Sequence, residues 1–218
     1  MFDLPGEPVL DKDRLVGGCL RLPLTVDAER LAEEVDALGE TVWGDGGRIG
    51  VHRPAQSLFL RGNAPAAGDL PVHDQPVLDR LPYARQVIAA LQAPPQRCLL
   101  ARLPGGRSIG SHIDRAPYFS KTLRIHVPVI THPRSYMLAA GSVYVMAAGE
   151  VWALNNCAVH AVWNADPLIA RTHLICDYTL TPALEALLAR GERDLGLRLP
   201  DVERHIASLP RSGAAGAG

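Results

Sequence analysis

Leu123-Arg124-Ile125-His126-Val127-Pro128-Val129-Ile130 alternates apolar residues with an arginine and a histidine. A period of two predicts a strand that keeps Arg124 and His126 on one face. Short runs of similar character surround it: Cys98 to Leu103, Tyr136 to Ala139, Ser142 to Met146, Val151 to Leu154, Val159 to Trp163 and His173 to Tyr178. Turn residues divide them at Pro104-Gly105-Gly106, His132-Pro133, Gly141, Ala148-Gly149 and Asp166-Pro167. Several short strands at this spacing predict an antiparallel sandwich or barrel. A jelly roll (a double-stranded β-helix, cupin-like) is the natural closure, because it encloses an interior between two sheets.

Outside this stretch the pattern mixes helix and strand. Leu15 to Leu24 is predicted as an opening strand. Val26, Leu31, Val35 and Leu38 recur at helical spacing, so Val26 to Leu38 is predicted as an amphipathic helix capped by Thr25 or Asp27. After a glycine-rich turn at Gly44 to Gly47, Ile49 to Leu60 is predicted as extended, and Gly62 to Pro76 as loop. Leu78 to Leu91 reads as a second helix, stopped by Pro94-Pro95, and Pro182 to Arg190 and Asp201 to Leu209 as two more. The expected layout is a mainly β domain over 1–211: a helix and strand support at 1–96, a jelly-roll core at 97–180, helices at 181–211, then a flexible tail at 212–218.

With 218 residues, 47% hydrophobic and 21% charged, the chain has the composition of a globular protein with a sizeable core. A net charge of -1 lacks the basic excess of a nucleic-acid binder. No run approaches the roughly 20 apolar residues that span a bilayer, and no signal peptide is read at the N-terminus. Cys19, Cys98, Cys157 and Cys176 stand far apart and read as reduced thiols of a cytoplasmic protein.

Three residues bear the ligand pattern of a metal site. His112 and Asp114, two apart in an extended segment, project to the same side, and His160 must reach them from another strand. Two imidazoles and one carboxylate leave positions open on an octahedral ion, which is the ligand set of non-heme Fe(II) oxygenases. Zinc is the alternative metal, although its catalytic sites favour tetrahedral closure. Arg171 follows His160 and offers a planar fork for a carboxylate. Arg171 and His173 share one strand face, as Arg124 and His126 share another. Such groups inside apolar strands are costly unless paired, so some of the four are expected to face an anionic ligand; pairing with Asp177 or Glu150 is the other outcome.

Residues Leu103 to Asp177 resemble the aspartyl/asparaginyl β-hydroxylase-like branch of the 2-oxoglutarate oxygenases, which includes small bacterial amino-acid hydroxylases. The resemblance rests on Ile109-Gly110-Ser111-His112-Ile113-Asp114, Arg124-Ile125-His126, Met146 with Gly149-Glu150-Val151-Trp152, Asn155-Asn156 before His160, and Arg171-Thr172-His173-Leu174. It implies Fe(II) on His112, Asp114 and His160, a distal 2-oxoglutarate carboxylate on Arg171, and Arg124 and His126 near the metal-bound end; His173, sharing the Arg171 face, is a further candidate co-substrate contact. The protein-modifying mammalian members are similar but lack the metal-binding carboxylate; Asp114 places this chain closer to the small-molecule hydroxylases. Gly149-Glu150 and Trp152 read as turn and core residues.

The expected reaction hydroxylates a C–H bond of an amino acid or small derivative with O2, releasing succinate and CO2. Candidate substrate contacts are Arg61, Arg115, Tyr118, Lys121, Asn155 and Trp163; Arg115 and Lys121 make the expected mouth basic. Two alternatives are an Asp or Asn residue of a peptide natural product as substrate, and a cupin-like isomerase or ligand-binding protein without O2 chemistry.

Overall fold

The computed structural model describes residues 3–44, 50–63 and 72–210. In chain order the elements are α1 (Lys12–Leu15), β1 (Cys19–Thr25), α2 (Ala28–Asp36), β2 (Gln56–Arg61), α3 (Pro82–Ala89), β3 (Pro95–Leu103), β4 (Ser108–His112), α4 (Pro117–Ser120), β5 (Leu123–Ile130), β6 (Ser135–Ala139), β7 (Ser142–Tyr144), β8 (Glu150–Leu154), β9 (His160–Asn164), β10 (Arg171–Tyr178), α5 (Pro182–Ala189) and α6 (Pro200–Ser208). Two antiparallel sheets face each other. The larger has the order β1-β8-β5-β10-β3-β2 and the smaller β4-β9-β6-β7. From β3 to β10 the chain passes back and forth between the two sheets as in a jelly roll, with the β6–β7 hairpin kept within the smaller one, and β1 and β2 extend the larger sheet at its edges.

Alternation along β5 and β10 sorts the side chains. Leu123, Ile125, Val127, Val129, Leu174, Cys176 and Tyr178 join the main apolar cluster, which holds Leu31 and Val35 of α2, Val87 and Ile88 of α3 and Leu184 of α5. The opposite faces carry Arg124, His126, Arg171, His173 and Asp177 into the space between the sheets. A second cluster, including Leu103, Ile109, Met137, Trp152 and Val162, fills the rest of that space. On the far side, Val202 and Ile206 of α6 cover the smaller sheet.

Several boundaries differ from the sequence expectation. Leu15 closes α1, whose Asp11 cap accepts from the Arg14 N–H, and the strand begins at Cys19. Asp27, not Thr25, caps α2 by accepting from the Arg30 N–H. Within Leu78 to Leu91 the chain makes a 3-10 turn at Pro76–Arg80 and restarts as α3 at Pro82, whose ring cannot donate to a continuous helix. The extended stretch expected from Ile49 contains a 3-10 turn at Gly50–His52 before β2; Ile49, residues 45–47 of the glycine turn and 64–71 of the loop lie outside the described residues. Strand β3 starts earlier than expected, at Pro95, and the extended segment expected around His112 and Asp114 runs instead over Ser108–His112, whose Ser108, Gly110 and Ser111 carry no apolar signal. Among the described residues, no helix is long and apolar enough to cross a membrane.

Candidate metal and co-substrate site

The register between β4 and β9 slips between Ile109 and His112, then pairs His112 with His160. This bulge re-aims His112 toward the interior, as bulges beside functional sites do, and the two rings lie 4.1 Å apart. His112 Nδ1–H donates to the Gly110 carbonyl at 2.8 Å and His160 Nδ1–H to the Ala158 carbonyl at 3.0 Å. Carbonyls only accept, so both imidazoles carry the Nε2 lone pair that a metal needs, held by second-sphere bonds of the usual kind. Burial, with the neighbouring His112, pushes the His160 pKa down to about 4, which keeps it neutral near pH 7.

Asp114 lies beyond the end of β4, so strand alternation does not aim it as the sequence predicted. Its backbone N–H bonds the Asn156 carbonyl at 3.0 Å, tying it to the turn before β9. Oδ2 accepts from Arg124 Nη1 at 2.7 Å and from Asn156 Nδ2 at 2.9 Å, and Oδ1 takes no part in these bonds. Burial alone would raise its pKa, but Arg124, His160, the Asn156 amide and His112 outweigh it and hold the carboxyl well below its usual range.

The ligand atoms of His52, His112 and Asp114 all lie within 4.8 Å of one another. His52 was not anticipated. It comes from the 3-10 turn before β2, and its ring meets His112 edge-on at 4.4 Å. A lone histidine in an irregular segment carries no spacing signal, so only the folded chain reveals it. His160 stands outside that tight group while remaining beside His112.

Arg171, 4% exposed, opens β10 opposite Leu103 of β3. Its Nη2 donates to His173 Nδ1 at 2.9 Å, which puts the His173 proton on Nε2; His126 Nδ1 lies 3.3 Å from the same atom. Arg171 has no ion pair among the described residues, and burial lowers its pKa to about 9. The Nε2 atoms of His126 and His173 are buried without a partner, and burial holds both rings well below their usual pKa. A buried guanidinium lacking a carboxylate, beside orphaned imidazole nitrogens, calls for an anionic guest. Arg124, in contrast, is neutralised by Asp114 and by Asp177, which accepts from its Nε at 2.8 Å.

The expected substrate residues scatter. Trp163 faces outward and stacks on His205 of α6 at 3.8 Å, because its odd position in β9 lies opposite His160. Arg61 is engaged by Asp74 and the Pro95 carbonyl, and Lys121 by Asp3 and the Leu4 carbonyl. Asn155 holds the turn after β8 through Cys157 and Ala158 N–H groups and donates to Asp13. Arg115 is exposed next to Asp114. Tyr118 of α4 is fully buried and donates to Asp177 at 3.1 Å.

A family model described as aspartyl/asparaginyl beta-hydroxylase matches residues 65–180. Among solved structures the chain is similar to a prolyl hydroxylase from Trichoplax adhaerens in complex with a hypoxia inducible factor peptide fragment, at 11% identity and a TM-score of 0.54, covering 82% of this chain and 90% of that one. It is also similar to an oxidoreductase of the 2OG-Fe(II) oxygenase family from Burkholderia pseudomallei (18% identity, TM-score 0.46, 77% of this chain and 88% of that one). A third is HygX from Streptomyces hygroscopicus with nickel and 2-oxoglutarate bound (14% identity, TM-score 0.49, 76% and 84%). The first of these likenesses shows the shared fold. No curated protein sequence matches the chain.

Proposed function

The chain belongs to the aspartyl/asparaginyl β-hydroxylase family, and on that footing we propose that His112, Asp114 and His160 hold Fe(II), Arg171 anchors 2-oxoglutarate, and a free amino acid or small derivative is hydroxylated. With O2 as the oxidant, bound iron and 2-oxoglutarate would supply the oxidising chemistry: one oxygen atom goes into succinate as CO2 leaves, and the other into the hydroxylated product. The protein's own residues do the rest. The backbone-anchored imidazoles offer lone pairs, and His160 stays neutral near pH 7. Arg124 and Asn156 keep the Asp114 carboxyl ionised and orient it. Arg171 and the His173 Nε2–H provide charge and a donor for the distal carboxylate of the co-substrate, with His126 beside them. Trp152 and Leu154, from the strand next to β5, close the interior against water.

The observation that carries this reading is the buried Arg171 without an ion pair among the described residues, beside orphaned nitrogens of His126 and His173 and in the same interior as the ligand cluster. His52 has the geometry of an additional ligand, and metal content separates the roles. His160→Ala should lower bound metal well below one per chain, and His52→Ala should leave at least most of it; the reverse order would move the third ligand to His52. The function itself is tested by succinate formation in air with Fe(II), 2-oxoglutarate and a panel of amino acids and short peptides. Stimulation by a free amino acid supports the reading, stimulation by peptides alone transfers the activity to peptide-borne residues, and no succinate at all overturns it. The four free cysteines suit a reducing, cytoplasmic setting.

A further inference from the structure

Three largely buried guanidinium groups lie on strands of the larger sheet, and two of them are explained: Arg124 by its carboxylates and Arg171 by the co-substrate. Arg97 is not. It is 9% exposed, and its guanidinium has no hydrogen bond or ion pair among the described residues, with Nε fully buried. Only its backbone is engaged, the N–H donating to the Tyr118 hydroxyl at 3.1 Å. Three rings surround the cation: Phe59 at 5.3 Å, Tyr118 at 5.9 Å and Phe119 at 6.0 Å from Cζ. Ring faces attract a cation but do not replace a counter-ion for a buried one. The neighbouring carboxylate of Asp177 is committed to Arg124 and Tyr118.

Position gives this uncompensated cation a meaning. Register pairs Leu103 with Arg171 at one end of β3 and Cys98 with Cys176 toward the other, so Arg97 and Arg171 stand at opposite ends of the barrel. Arg97 is joined to the metal side through Phe119, whose ring also lies 5.1 Å from Arg124 Cζ, and Arg124 is bonded to Asp114. A planar fork with unused donors matches a carboxylate, and rings around it match an apolar or cyclic body carrying that carboxylate. We infer that Arg97 is the substrate's carboxylate anchor, and that the enzyme selects amino acids whose free α-carboxylate reaches Arg97 while Phe59 and Phe119 flank the side chain. This assignment rests on the oxygenase reading above and specifies its substrate.

The test uses the full chain loaded with redox-inert Zn(II) and saturating 2-oxoglutarate, titrated by calorimetry with each standard L-amino acid and with its C-terminal carboxamide. At least one free acid should bind, its carboxamide should bind at least ten-fold more weakly, and Arg97→Met should weaken the acid to the level of the amide. Arg97→Lys should restore part of the affinity. In both variants the 2-oxoglutarate affinity should match wild type, and the urea midpoint of Arg97→Met should be unchanged or higher, because an uncompensated buried charge has been removed. A residue kept for folding alone would lower that midpoint. Binding of no free acid, equal binding of acid and amide, or full acid affinity in both variants would overturn the assignment. Loss of 2-oxoglutarate binding in the wild-type protein would instead overturn the oxygenase reading beneath it.

Discussion

Asp177 has a side chain only 1% exposed, where Arg124 grips both of its oxygens and Tyr118 adds a third bond. Replacing Arg124 with Met leaves that carboxylate with the tyrosine alone, a change expected to cost about 3–5 kcal/mol in urea denaturation; an unshifted midpoint would contradict the network. Asp114→Ala removes the other partner but leaves the Arg124–Asp177 pair, so the fold should persist while metal is lost. Arg171→Ala should weaken 2-oxoglutarate about 10–100-fold, the worth of charge-assisted hydrogen bonds, with metal affinity nearly unchanged by calorimetry. Equal losses on both would remove Arg171 from its role. At this scale His112, Asp114 and Arg171 were legible because chemistry that binds metals and carboxylates uses few residue types at short spacings. His52 and Arg97 were not, since their significance lies in what surrounds them after folding.

Strand β5 matched its predicted bounds because apolar residues at Leu123, Ile125, Val127 and Val129 alternate without a break, with Arg124 and His126 on the opposite face. Only the His112 end of β4 was legible, because its interior face carries just Ile109 and a histidine and its outer face small residues; a Cβ on Gly110 would meet the Pro210 carbonyl oxygen at 2.5 Å. The bulge in the same strand is what turns His112 inward, and no periodicity encodes it. The turn before β8 was legible through its glycine. Gly149 has φ +81°, and an added Cβ would lie 2.5 Å from the Val26 carbonyl oxygen, where β1 passes into α2. Gly149→Ala should therefore destabilise the protein by more than about 1 kcal/mol. A urea midpoint equal to wild type would show that this corner is looser than described.

Across the molecule, helices α2, α3 and α5 supply the apolar cover on one side of the larger sheet and release its other face for charge and imidazole. That arrangement has a pH signature. His126 and His173 are buried with pKa values well below the usual one, so the folded chain holds them neutral while the unfolded chain protonates them below about 6.5. The unfolded state then binds more protons, and stability must fall as pH drops below that value. His160, held near 4, adds to the same effect, so metal-free protein should lose up to about 4 kcal/mol between pH 7.5 and 5.5, roughly 1.4 from each of the three imidazoles, read as a lower melting temperature; an unchanged one would mean that the imidazoles are not sealed in. The jelly roll was readable from turn spacing alone, but which end of the barrel holds each cation was not, because register between distant strands sets it.

The most direct test is an anaerobic titration of the apo-protein with Fe(II) and then 2-oxoglutarate, followed by visible absorption. One equivalent of each should develop the metal-to-ligand charge-transfer band of a bidentate 2-oxo acid, and Asp114→Ala should abolish it. A wild-type protein that binds iron yet shows no band at any concentration of 2-oxoglutarate would contradict the account.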